Sequence, residues 1–223
     1  MSPVEEFPVL TRSRRVSPDV LQILQSINAW GDRRTKSISQ ALTALQQDEL
    51  HSLPDIAEQA LGAAHPELAK LLHRLAVLYH SRENPEKAES LYLRALASAE
   101  SAFPEPHAEL GVLLNNFGRL RYDQKKYAEA ETLYQRSLAI LREVYGLEHP
   151  KVTTPLTNLA TLYMERGELE PAEGMLENAI AILEEAHGPE NRRVVKAKKM
   201  LASVKERERR VKELIGDTPE TAV

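Results

Sequence analysis

Apolar residues in the middle of this chain recur at the three-to-four-residue step of an amphipathic helix. Leu68, Leu71, Leu72, Leu75, Ala76, Leu78 and Tyr79 follow that step and fall on one broad face. The run breaks at Asn84-Pro85, and a second face follows, made of Ala88, Leu91, Tyr92, Ala95 and Leu96. Pro85 suits the first turn of this second helix, where a missing N–H forfeits no intrahelical bond. Matching breaks stand at Lys126-Tyr127 and Glu168-Leu169. Phe103-Pro104-Glu105-Pro106, Gly146-Leu147-Glu148-His149-Pro150 and Gly188-Pro189 each close one helix pair and open the next. The pattern predicts helix–turn–helix hairpins in series.

These hairpins are copies of one unit. His65, His107 and His149 are 42 residues apart, each just before a helical run. The same shift carries Leu75-Ala76 onto Phe117-Gly118, Leu159-Ala160 and Leu201-Ala202, and Ala88 onto Ala130 and Ala172. Leu91 maps onto Leu133 and Met175, Tyr92 onto Tyr134 and Leu176, and Leu96 onto Leu138 and Ile180, with no insertion. Three full units are expected, at 65–106, 107–148 and 149–190. The segment 191–216 begins a fourth first helix near Arg192 and reads as a capping helix. One hairpin cannot bury its apolar face alone, so such units must stack. Upstream, 18–30, 36–52 and 54–63 read as helices out of register with the repeat, an N-terminal extension spanning 17–64. Residues 1–16 and 217–223 read as tails, the first of them disordered.

The runs LAVLY…KAESLYLRAL, NNFGRLRY…YAEAETLYQRSL and LTNLATLY…EPAEGMLENAI resemble the tetratricopeptide repeat. The period of 42, with His-Pro before a first helix, resembles the kinesin-light-chain type of that repeat. The resemblance covers residues 65 to about 205. It implies an all-α, right-handed α-solenoid of antiparallel helix hairpins in which the first helix of each hairpin lines a concave groove. Carried over position by position, the groove row is Arg74, Asn116, Asn158 and Met200. Beside it run Lys70, Val112, Thr154 and Lys196, then His73, Asn115, Thr157 and Lys199, with Arg119 one turn further along the second unit. Asn both donates and accepts, which suits holding an extended peptide backbone. The cations favour an acidic or carboxylate-ended partner. An Asn at such a position can instead bridge adjacent hairpins, and an exposed Lys can be only a solvated face. The chaperone-tail carboxylate clamp of some relatives is disfavoured, because His73 and Val77 occupy the places it needs.

Composition narrows the function. The chain has no cysteine, which excludes disulfides and thiolate chemistry and suits a reducing, cytoplasmic setting. No apolar run reaches the roughly 18 residues that span a bilayer, and the N-terminus lacks the apolar core of a signal peptide. The periodic histidines invite a metal, but equivalent helices in successive units stand about 8–10 Å apart, too far for ligands about 2 Å from one ion. Helix-start residues are the better account of them. No phosphate loop, nucleophile elbow or zinc motif is present, so neither a cofactor nor catalysis is expected. Residues 192–214 hold ten Lys or Arg against three Glu, while the whole chain carries −4. A capping helix with a basic outer face, stacked on an acidic body, accounts for that run. Nucleic-acid binding is disfavoured because no aromatic platform accompanies it. The acidic, apolar stretch Glu5-Glu6-Phe7-Pro8-Val9-Leu10 is of the type a cationic groove would accept. The sequence therefore reads as a protein-interaction adaptor binding a peptide or protein, with self-association through the terminal helices as the alternative.

Overall fold

The structure is a computed structural model that describes residues 52–216, and no β-strand occurs among them. The expectations for 1–16, 18–30, nearly all of 36–52 and 217–223 lie outside the described residues, as does the Glu5–Leu10 stretch. The chain divides into two compact units, Met1–Glu105 and Pro106–Val223. The first contains α1 (Leu53–Leu61), α2 (Pro66–Ser81) and α3 (Pro85–Ala102). The second contains α4 (Ala108–Asp123), α5 (Tyr127–Tyr145), a 3-10 turn at Pro150–Val152, α6 (Thr153–Arg166), α7 (Leu169–His187) and α8 (Arg192–Gly216).

The hairpins obey one local code. Second helices start at Pro85, Tyr127 and Leu169, the three breaks in the sequence pattern. The turn before each is the same: the N–H of Asn84, Lys126 and Glu168 donates to the carbonyl of Tyr79, Arg121 and Tyr163 at 3.0, 2.9 and 2.9 Å. The residue ahead of that donor is left-handed, at Glu83 (φ 56°), Lys125 (φ 61°) and Gly167 (φ 77°). First helices open on the periodic histidines. Nδ1 of His65, His107 and His149 accepts the backbone N–H of Glu67, Glu109 and Lys151 at 3.2, 3.2 and 3.1 Å. Each histidine thus satisfies a donor that the helix itself leaves orphaned. The third unit departs from the code, with a 3-10 turn before α6. Pro155 has no N–H to give to the carbonyl of Lys151, so an α-helix cannot start at Pro150 as its counterpart does at Pro66.

In the first unit, Leu68, Leu71, Leu72 and Leu75 of α2 and Ala88, Tyr92 and Ala95 of α3 are fully buried. Arg94 of α3 grips α1 through Asp55 Oδ1 (2.8 Å) and Glu58 Oε2 (2.6 Å), and Ser98 Oγ donates to the Ala63 carbonyl (2.7 Å). The end of α1 falls into register, contrary to the expectation for 54–63. Gly62, Gly146 and Gly188 have φ of 90°, 91° and 80°, and each N–H donates to the carbonyl four residues back at 2.8 Å. These glycines lie 84 and 42 residues apart, so α1 ends as a second helix does; Pro54 in its first turn keeps it short.

In the second unit, one core runs from Ala130, Tyr134 and Leu141 through Leu156, Leu159 and Leu162 to Leu176, Ile182 and Val204. Gly118 lets α4 approach α5 so closely that a Cβ there would stand 2.8 Å from the Tyr134 ring. The buried Ser137 hydroxyl donates to the Gly111 carbonyl at 2.6 Å. Hairpin is tied to hairpin by Glu131, which accepts from Tyr163 Oη (2.8 Å) and Arg166 Nη1 (2.5 Å). Val194, Ala197 and Val204 of α8 are buried, whereas Val211 is 46% exposed. The 42-residue register places Lys198 and Lys205 where α6 buries Leu156 and Tyr163. Both lysines bend onto α7 instead: Lys198 to Glu184 (2.5 Å), Lys205 to Glu173 (2.9 Å) and Glu177 (3.2 Å). A basic helix therefore packs on the acidic face of α7.

Candidate functional site

In the second unit the first helices α4, α6 and α8 run side by side, and their residues outside the core form an inner face. A recess of about 410 Å³ opens there. It is lined by Arg119 and Tyr122 of α4, Tyr134 of α5, Asn158, Thr161, Met164 and Glu165 of α6, and Lys196 and Met200 of α8. Three residues expected in a groove, Arg119, Asn158 and Lys196, meet in it, together with Met200 of the same row. The floor is apolar and adaptable through its two methionines. Burial raises the pKa of Tyr134, and burial together with Glu165 raises that of Tyr122, so both rings keep their O–H as donors.

Side-chain amides set the polar geometry. Asn158 Nδ2 donates to Asn115 Oδ1 at 2.9 Å, and Asn115 Nδ2 donates to Asn116 Oδ1 at 3.3 Å. Asn115 is only 7% exposed, so it serves the junction between hairpins rather than the open face, and Asn116 stands half-buried beside it. Because Asn158 spends its amide N–H on Asn115, its Oδ1 is directed away from that bond. Thr157 Oγ1 donates to the Thr154 carbonyl (2.9 Å) and Thr161 Oγ1 to the Thr157 carbonyl (2.8 Å), so these hydroxyls are turned onto their own helix. Arg119 Nε lies 3.2 Å from Asp123 Oδ2, which offsets part of its charge. Lys196 and Lys199 are exposed on α8.

The remaining expected residues belong to the first unit. Lys70 Nζ pairs with Glu67 at 2.7 Å. Arg74 is exposed, and the half-buried His73 ring lies 6.1 Å from the Tyr92 ring, centroid to centroid. Burial and then Arg74 lower the His73 pKa to about 4, so at neutral pH it adds no cation to this face. Tyr122, Tyr134, Thr161, Met164 and Glu165 were missed in the sequence. The register held the signal for two of them, since Arg119 shifted by 42 is Thr161 and Tyr122 shifted by 42 is Met164. Among the described residues, no group of three His, Asp or Glu is placed to hold a metal, and no helix is long and apolar enough to cross a membrane.

The tetratricopeptide-repeat family model matches residues 55–101 and 109–185, together more than half of the chain. No curated protein matches the chain. Among solved structures, BtubC (BKLC) from P. vanneervenii superposes with a TM-score of 0.60 at 20% identity, covering 93% of this chain and 96% of that one. A putative kinesin light chain with nearly identical TPR-like repeats from Podosopora anserina gives 0.63 at 19% identity, covering 91% and 94%. A substituted form of that same protein gives 0.64 at 18%, with the same coverage. At these identities the likeness establishes the fold, an all-α solenoid of helix hairpins.

Proposed function

The chain belongs to the tetratricopeptide-repeat family, whose members act in general as non-enzymatic scaffolds for protein–protein interaction, and from that premise we propose that it is an adaptor holding an extended segment of a partner protein on the inner face of its first helices. The observation that carries this reading is the recess of the second unit, where Arg119, Asn158 and Lys196 meet the apolar side chains of Met164 and Met200, with Glu165 as the one carboxylate in the lining. An apolar side chain of the partner fills the floor, the Asn158 amide meets its backbone, and the cations meet its carboxylates. In the first unit the exposed Arg74 offers a cation of the same type, while Lys70 is paired with Glu67. The absence of cysteine supports a cytoplasmic setting.

The test is fluorescence anisotropy on the full chain with labelled decapeptides of alternating Ser with Glu, Gln or Lys, each carrying one central Leu. Asn158→Ala and Arg119→Glu should each weaken binding of the Glu peptide about five- to tenfold, with circular dichroism unchanged. Equal affinity in wild type and both variants would remove the recess from the reading. Self-association is favoured by one feature, the exposure of Val211 (46%) and Leu214 (74%) on α8. Light scattering that finds a monomer at every concentration excludes it.

A further inference from the structure

The positive charges of α8 fall into two groups. Lys198 and Lys205 are spent on α7, Arg209 and Arg210 on Glu206, and Arg207 Nη1 on the Met164 carbonyl. Arg192, Lys196 and Lys199 have no carboxylate partner among the described residues, and the Arg193 guanidinium bonds only the hydroxyls of Thr153 (2.9 Å) and Thr154 (3.0 Å) there. All four are exposed and sit within about two turns of the helix start. Lys212 is the one other cation of the helix without a partner among the described residues. The cations of α4 and α6, by contrast, are matched: Arg119 by Asp123, Arg121 by Glu129, and Arg166 by Glu131 and Glu168.

Two residues of this patch, Arg192 and Arg193, oppose the stability of their own helix. A helix start carries partial positive charge and favours acids. α1 to α5 and α7 each place an acid in the first turn, whereas α8 places none there and begins Arg192-Arg193. Two of the four cations, Arg192 and Arg193, stand in that first turn against the field, and none of the four has a carboxylate partner among the described residues, as a surface built for an anionic partner requires. Lys196 also lines the recess, which makes the patch continuous with the inner face.

We propose that Arg192, Arg193, Lys196 and Lys199 of the capping helix form the acid-reading surface of this adaptor, a docking site for a partner peptide segment bearing several carboxylates. The inference rests on the inner-face reading: the recess holds the segment, and the cap reads its charge. The cap thus closes the array with one flank and selects the partner with the other.

The experiment compares Lys196→Glu/Lys199→Glu with Lys125→Glu/Lys212→Glu, two full-length variants of equal net charge. The probes are the labelled Ser/Glu and Ser/Gln decapeptides and a labelled ten-nucleotide oligo-dT. Wild type should prefer the Glu peptide to the Gln peptide. The first variant should lose that preference, with affinity for the Glu peptide falling about tenfold and its salt dependence flattening. The second should stay within about twofold of wild type. The melting temperature of the first variant should not fall, which separates a binding role from a structural one. Equal losses in both variants would overturn the proposal in favour of a net-charge effect. Tighter binding of oligo-dT than of the Glu peptide would overturn it in favour of nucleic acid. Equal binding of the Glu and Gln peptides, both weakened by Asn158→Ala, would overturn it while leaving the inner-face reading intact. No binding of any peptide would sink both.

Discussion

Burial, reinforced by the neighbouring Arg74 guanidinium, lowers the His73 pKa from 6.5 to about 4, and this couples stability to pH. The unfolded chain takes up the proton near its ordinary value of about 6.5, while the folded chain resists it down to about 4. Stability from this group is therefore complete above about pH 6.5 and is lost as pH falls toward 4. At pH 5 the loss is on the order of 2 kcal/mol. Urea denaturation of wild type and His73→Gln at pH 7 and pH 5 tests this. Carboxylate effects common to both proteins cancel, and the wild type should lose about 2 kcal/mol more than the variant across that interval. An equal loss would mean that the imidazole is solvated. The family resemblance implies an inner-face position for His73, but its charge depends on how far α2 sinks it beside Tyr92. Asn115 is similar: the resemblance implies a groove position, and its burial and its bond to Asn158 make it part of a junction.

The hairpin turns were legible because they depend on residues close in sequence. Three breaks predicted three second-helix starts, and three histidines predicted the starts of α2 and α4 and of the 3-10 turn that leads into α6. Legibility failed where one residue altered a helix without altering the pattern. Pro54 shortens α1, so too few apolar positions remain to reveal its register, although Gly62 carries it. Pro155 forces the 3-10 turn before α6 within an otherwise regular unit. The recess was only partly legible. Its rim follows the rows on the first helices, but Tyr134 reaches it from a second helix through the close approach that Gly118 allows. The same comparison of turns yields a prediction. Gly167 occupies the left-handed position at no steric cost, while Lys125 holds it with a side chain at φ 61°. Lys125→Gly should stabilise the second unit by up to about 1 kcal/mol, relief of that strain outweighing the added freedom of the unfolded chain. A raised urea midpoint at unchanged slope is the expected result, and a lowered one would refute the turn argument.

On the scale of the whole chain, the distribution of charge matters more than its total. The net charge is −4, yet residues 192–214 carry ten cations against three acids. A uniform basic face would make every lysine of α8 interchangeable, but the structure sorts them by flank. Lys198 and Lys205 replace buried Leu156 and Tyr163 in the repeat register and draw onto Glu184, Glu173 and Glu177. Hydrogen bonds from Lys205 to Glu173 and Glu177 raise its pKa, consistent with a charge held in place. Each pair is exposed, so each alone contributes little. Reversing both charges does more than delete two pairs, because it sets two carboxylates against the acidic face of α7 and leaves the layer beneath uncapped. Lys198→Glu/Lys205→Glu should therefore lower the melting temperature of the full chain by several degrees and increase aggregation on heating. The partner variant on the opposite flank, Lys196→Glu/Lys199→Glu, should leave the melting temperature level, because neither lysine has a carboxylate partner to lose among the described residues. The two variants have the same composition and the same net charge on the same helix, so different effects on stability can come only from what each flank faces. If both lower the melting temperature alike, the cap has no functional division, and its lysines act on stability together.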